Sequence, residues 1–318
     1  MDETQPLEAL PKAELHVHLE GSLERAVLDR IGARKGLPPL AEDPYLFQGF
    51  EGFNEVFRFL ARYLETGEDF EEAAFAFVGH QARDRIVYTE AFVMPLFHTS
   101  RGVDPGDLFE GLESGLRRGE EEHGVQVRLL FSIPRILGPD AGFQTLELLE
   151  RRPWDRVLGI DLAGTEQEGD PAPFAPVFER ARSLGLHTVA HAGEFTSAAH
   201  VRETLELLGA ERIGHGIRAL DDPALAARLA RDGVPLEVCP SSNLCLGAAP
   251  LDEGHPLCGL LRAGVPLAVS TDDPAFFHTT LSRELGILEE RMGLSRSDVL
   301  SLIGNGFSYG FASGQLFS

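Results

Sequence analysis

Four short motifs carry residues that could do chemistry together. His16 and His18 form an H-x-H pair inside an apolar run. On a strand, residues two apart project from one face, so both imidazoles can reach one point; alone, the pair also fits two polar residues at a strand end. His191 opens His-Ala-Gly-Glu after the run Thr188-Val189-Ala190. Gly193 permits a tight turn there, and Glu194 fits a catalytic carboxylate or equally a capping or surface one. His215 lies between Gly214 and Gly216, a pattern compatible with close ligand approach or with tight packing. Asp272 and Asp273 follow Ser270-Thr271 and precede Pro274. Adjacent carboxylates after an apolar strand are costly unless they meet cations, donors or a metal. A helix cap before Pro274 accounts for one of them more readily than for both.

Taken jointly, His16, His18, His191 and Asp272 make a His₃Asp set. Nitrogen and oxygen ligands without thiolate suit one Zn²⁺ per chain, with Fe²⁺ or Mn²⁺ as poorer fits. An open position on such an ion lowers the pKa of water to roughly 7 and so provides a nucleophile for hydrolysis at an electrophilic carbon.

Such a set needs a scaffold that brings several strand ends to one place. Eight β-type runs occur, at 14–19, 86–93, 126–133, 156–162, 187–193, 212–216, 235–240 and 266–271. Several are dominated by Val, Ile and Leu, as parallel strands buried on both faces are. Amphipathic, charged stretches such as 104–123 and 173–184 separate them. This alternation predicts βαβ units, and eight of them predict an α/β fold of the (β/α)₈ TIM-barrel type, in one domain over residues 1–318. The four motifs end runs one, five, six and eight, on the C-terminal face where barrel active sites lie. The longest connection, 21–85, reads as several extra helices after strand one. Its Phe50, Phe53, Phe57, Phe59 and Leu60, with Phe70, Phe75 and Phe77, fit helix core or an apolar lid over the mouth.

Composition narrows the partners. The chain has 318 residues and a net charge of −22, from 28 Lys plus Arg against 50 Asp plus Glu. Nucleic-acid affinity rests on cations neutralising phosphates, and anionic membranes select for cations too, so neither nucleic acid nor membrane is an expected partner. Three cysteines, none in C-x-x-C, predict no disulfide framework and no thiolate metal site. The start MDETQPLEAL lacks the pattern of a signal peptide, and no run of about 18 apolar residues predicts a membrane span. A cytoplasmic location is expected.

At these motifs the sequence resembles the adenosine deaminase family of metal-dependent amidohydrolase-type barrels. The matching stretches are Pro11-Lys12-Ala13-Glu14-Leu15-His16-Val17-His18-Leu19-Glu20-Gly21, His191-Ala192-Gly193-Glu194, His215-Gly216, Glu237-Val238-Cys239-Pro240-Ser241-Ser242-Asn243 and Ser270-Thr271-Asp272-Asp273-Pro274. They occur in family order over most of the chain. The resemblance implies hydrolytic deamination of a 6-aminopurine to the 6-oxopurine plus ammonia. It implies that His16, His18, His191 and Asp272 hold the zinc, and that Glu194 delivers a proton to ring N1. By the same resemblance His215 orients the attacking water and Asp273 hydrogen-bonds N7. Asp161-Leu162-Ala163-Gly164 is similar to the segment whose backbone meets the purine, which assigns Gly164 to substrate binding. Lys12 and Arg135 stay unassigned. Of the remaining histidines, His98 and His278 stand out as being near strand ends.

Glu20 departs from the pattern. Adenosine-specific members carry Asp there, facing the ribose, and Glu resembles adenine and aminodeoxyfutalosine deaminases. Asp161–Gly164 and Thr279-Thr280-Leu281 look nucleoside-like instead. The sequence therefore predicts a nucleoside substrate, adenosine or a 5′-modified adenosine such as aminodeoxyfutalosine, with Glu20 on the sugar side. The free base adenine is the alternative, and another barrel metallohydrolase is a more distant one. A non-catalytic relative would have lost a ligand or the acid, and all six positions are intact.

Overall fold

The computed structural model describes residues 4–40 and 43–312. Eight parallel strands follow one another in sequence order around the sheet. They are β1 (Lys12–His18), β2 (Ile86–Val93), β3 (Gln126–Pro134), β4 (Val157–Ala163), β5 (His187–Ala192), β6 (Arg212–His215), β7 (Leu236–Val238) and β8 (Leu267–Val269). Each pairs with the next, and a parallel bridge from Val17 to Asp272 brings the last strand back to the first. This is the expected (β/α)₈ barrel.

The seam between first and last strands is made by site residues. His18 N–H donates to Asp272 O at 2.8 Å, and Asp272 N–H to His16 O at 3.0 Å. The Ser270 hydroxyl oxygen accepts from His16 N–H at 3.1 Å. Strands β7 and β8 are shorter than the sequence pattern predicts. After β7, Pro240 opens the short helix Pro240–Cys245, because proline is preorganised for a first helical turn and cannot donate to a ladder. After β8, Asp272 adopts φ 66°, which ends extended backbone.

The long first connection is helical, as expected: α1 (Arg25–Arg34), α2 (Gly49–Leu60) and α3 (Gly67–Arg83). A capping box between Thr66 and Asp69 starts α3. After β2 come α4 (Pro95–Thr99) and α5 (Pro105–His123), the latter capped by Asp104 with Pro105 in its first turn. Helices α3 and α5 touch backbone to backbone: a Cβ on Gly111 would lie 2.3 Å from Gly67 O, and one on Gly115 2.3 Å from Glu71 O. The two readings of the phenylalanine cluster divide between helices. Phe70 and Phe77 of α3 are buried core. Phe50, Phe53 and Phe57 of α2 line the cavity at the barrel mouth, with Phe53 also packed on Phe276 and Phe277; Phe59 is exposed. Among the described residues no helix is long and apolar enough to cross a membrane.

Candidate active site

Strand ends bring the expected ligands together. One donor atom from each of His16, His18, His191 and Asp272 lies within 4.8 Å of the others, and all four residues are buried. Their other atoms are held from behind. His16 Nδ1 lies 2.9 Å from Glu237 Oε2, and His191 Nδ1 lies 3.0 Å from Asp161 Oδ1. A carboxylate only accepts, so both rings donate through Nδ1, which leaves Nε2 as the atom turned inward. Ser132 Oγ–H donates to Asp161 Oδ2 at 2.8 Å, and Ser242 Oγ–H to Asp272 Oδ2 at 2.7 Å. That leaves Asp272 Oδ1 facing His16 Nε2 at 3.4 Å and His18 Nε2 at 3.3 Å.

This donor set fits a cation. His16 Nε2 is buried without a hydrogen-bond partner. Burial alone would lower the His16 pKa, yet Asp272 and Glu237 raise it to about 10. Asp272 is held well below the usual carboxylate range against its burial, by His16 and His18. The pocket is short of positive charge, and a divalent ion would supply it.

The backbone is bent to make the site. His215 has φ 59° and Asp272 φ 66°, a left-handed region that costs a non-glycine residue roughly 1–2 kcal/mol. The glycines beside His215 have separate reasons. A Cβ on Gly214 would lie 2.9 Å from His16 Cε1 and 3.2 Å from His191 Cγ, whereas one on Gly216 would strike Leu236. Gly214 thus admits the ligands, and Gly216 serves packing at φ 68°.

Glu194 sits beside the ligand set, not in it. Asn243 Nδ2–H donates to its Oε1 at 2.9 Å, and its Oε2 is 3.6 Å from His215 Nε2. Burial first, then the charges of Asp272 and Glu166, push its pKa well above the usual carboxylate value, which favours the protonated form. His215 is pushed well below the usual histidine value by burial and stays a neutral imidazole. Asp273 is raised by burial and by Asp272, and its Oδ1 is buried without a partner. Gly21 makes room for it: a Cβ there would lie 1.8 Å from Asp273 Oδ1.

His18, His191, Glu194, His215, Asp272 and Asp273 line a cavity of about 400 Å³. Gly164, at φ 98°, contributes to its wall, as do Phe50, Phe97 and Phe195. Glu20 is not part of that wall. It is buried, and its Oε1 accepts from Met94 N–H at 2.9 Å and from His98 Nε2–H at 3.0 Å. Arg101 donates in turn to His98 Nδ1 at 3.2 Å. Of the two histidines near strand ends, His98 therefore belongs to the support of Glu20. His278 is 60 % exposed at its side chain, beside Asp43.

Two supporting residues were missed from the sequence. Glu166 accepts from Gly193 N–H at 3.1 Å, Glu194 N–H at 3.0 Å and Thr196 Oγ–H at 2.6 Å. Arg135, unassigned from sequence, donates to the His191 carbonyl. Together they hold the His191–Thr196 turn from both sides. Glu166 lies two residues beyond Gly164, which was the available signal. Asp161, Glu237, Ser242 and Asn243 were inside quoted motifs but without a role.

A His₃Asp group that could hold a metal ion, beside a buried carboxyl at the C-terminal rim of a (β/α)₈ barrel, is the arrangement a metal-dependent barrel hydrolase would need. The family model described as adenosine deaminase matches residues 11–315, and the chain belongs to that family; it is a deaminase. An adenine deaminase of Caulobacter vibrioides is 38% identical over 309 residues, covering 95% of this chain and 89% of that protein. The crystal structure of an adenine deaminase from Arthrobacter aurescens superposes with a TM-score of 0.90 at 32% identity, over 96% of this chain and 94% of that one. An amidohydrolase from Burkholderia ambifaria with bound zinc superposes with a TM-score of 0.88 at 27% identity, over 96% and 86%.

Proposed function

We propose that the chain hydrolyses a 6-aminopurine to the 6-oxopurine and ammonia, with adenine as its first substrate and zinc as its metal. His16, His18, His191 and Asp272 would hold the ion. Bound there, zinc would supply Lewis acidity and lower the pKa of the attacking water to roughly 7. Glu194, whose burial favours the protonated form, donates its proton to N1 and so draws electrons from C6. Neutral His215 accepts a hydrogen bond from the attacking water and orients it. Protonated Asp273 donates to N7, and the Gly164 backbone meets the ring edge. The setting proposed is a single-domain cytoplasmic enzyme that acts on a small molecule, without nucleic acid or membrane.

The observation that favours the free base is the position of Glu20. Glu20, the residue expected at the ribose, does not line the cavity, and its Oε1 is turned onto Met94 N–H and His98. The relatives named adenine deaminase support the same substrate. A nucleoside is the second reading, favoured by the cavity of about 400 Å³, which extends to Arg58 and Arg101 beyond the ligand group. The test is kcat/KM for adenine, adenosine, 2′-deoxyadenosine and aminodeoxyfutalosine, read from purine absorption, together with metal content of the purified protein. Adenine is expected to lead; a nucleoside leading by tenfold or more would replace it with the second reading.

A further inference from the structure

Residues 309–312 pack on the barrel end away from the cavity. After the helix Arg296–Tyr309, residues 309–312 meet the first residues of several strands. The Phe311 ring stacks on His187 at 4.0 Å between centroids and 8° between planes. On Phe311 also lies the Arg212 guanidinium, 3.8 Å from the ring centroid. Arg212 Nη1–H donates to Tyr309 O at 2.9 Å. Phe311 N–H donates to Glu90 Oε1, which also accepts from Tyr88 Oη–H.

Arg212 is almost fully buried and is forked between two buried carboxylates. Its Nη2 lies 2.6 Å from Glu90 Oε2 and its Nε 2.6 Å from Glu237 Oε1. The other oxygen of Glu237 is the one that holds His16 Nδ1 at 2.9 Å. A planar guanidinium fixes the carboxylates it bridges far more tightly than a flexible ammonium does. Held through Oε1 by the ion pair to Arg212, Glu237 turns its second oxygen to the His16 ring.

We propose that Arg212 and residues 309–312 are positioning residues for His16, so that the seating of the C-terminal stretch sets how firmly the site holds its metal. This rests on the reading of His16 as a metal ligand. The contacts run without a break from the Phe311 backbone through Glu90, Arg212 and Glu237 to a ring whose free nitrogen faces Asp272. Nothing in ordinary barrel packing asks for it: three charged side chains buried together cost more than an apolar filling of the same volume. A geometric task for one of them accounts for their retention.

The test uses the full-length zinc-loaded protein and measures zinc release to excess chelator and the zinc Kd, with Tm recorded alongside. Phe311→Ala removes the ring over Arg212 and leaves every charge in place. Loss of a group that orients a metal ligand typically weakens metal binding by about 10–100-fold, and zinc release faster by a factor in that range is expected. Phe311→Tyr keeps the stacked ring and should restore wild-type release. Leu225→Ala, in the buried core of the helix Pro223–Asp232, should lower Tm without speeding release. Unchanged release in Phe311→Ala, or equally fast release in Leu225→Ala, would overturn the proposal while leaving the metal site intact. A wild-type protein that binds no zinc would overturn the metal reading and this proposal together.

Discussion

The two ends of the barrel are both polar and both buried, but they are partnered in opposite ways. At the N-terminal end, Arg212 lies between Glu90 and Glu237 and under Phe311, with each charge answered by another. At the C-terminal end, His16 Nε2, His18 Nδ1, His215 Nδ1 and Asp273 Oδ1 are buried without hydrogen-bond partners. Buried polar atoms are almost always satisfied in folded proteins. Opposite charges in contact mark the Arg212 end, where Nε and Nη2 meet Glu237 and Glu90 as ion pairs. At the other end imidazole nitrogens and a carboxyl oxygen face no opposite full charge but one another, an arrangement that the metal and substrate proposed above would complete. Polarity alone would not have told the two apart.

The largest expected effect tests that contrast inside the site itself. Glu194→Gln keeps shape but removes the titrating proton, and kcat should fall by about 10²–10⁴-fold with zinc content near wild type. His16→Ala should lose metal and activity together. Metal analysis of both variants checks this: zinc lost from Glu194→Gln, or fully kept in His16→Ala, would reverse the assignments.

A smaller effect is expected behind the site. Glu166 accepts through both oxygens, and an amide cannot accept on its nitrogen side. Glu166→Gln should therefore shift the Glu194 turn and cost about 10²-fold in kcat, the scale of a misplacement near 1 Å. It should also lower the pH at which Glu194 loses its proton, because the Glu166 charge helps to raise it. An unaltered pH profile and kcat would reduce Glu166 to a loop support.

The smallest effect concerns buried acids that have neither a cation nor a substrate. Glu284 accepts from Ser241 N–H at 3.0 Å and from Thr279 Oγ–H. Burial pushes its pKa up to about 7 from 4.5. The folded state then keeps a proton that the unfolded chain releases above pH 4.5. Its contribution to stability is full below that value and is lost as pH rises through 7, at about 1.4 kcal/mol per pH unit. Glu284→Gln should flatten this decline, leaving the similar share of Glu14, also raised to about 7 by burial. Urea unfolding at pH 5 and pH 7.5 gives the slopes, and equal slopes in both proteins would exclude Glu284 as a source.

The legible part of this molecule was local. The eight strands showed as apolar runs, and the His₃Asp group showed because strand geometry puts His16 and His18 on one face and Asp272 just after a run. The supporting groups were invisible for a physical reason: their partners are remote in sequence. Glu237 meets His16 across 221 positions, and Arg212 meets Tyr309 across 97. A lone Arg before a strand or a Glu in a turn reads as surface until the fold closes over it. Glu20 illustrates the same limit. Its type suggested the sugar side, and the group that holds its Oε1, His98, is 78 residues away.

The backbone at His215 and Asp272, both at positive φ, has a consequence for descent. Foldability alone would place glycine or asparagine at such positions. On the function proposed above, the reaction keeps an imidazole and a carboxylate there, against the preference of the chain that carries them. A descendant released from catalysis would therefore change first at these two positions and grow more heat-resistant as it did so. A barrel of this shape with glycine at both would be read as a retired enzyme.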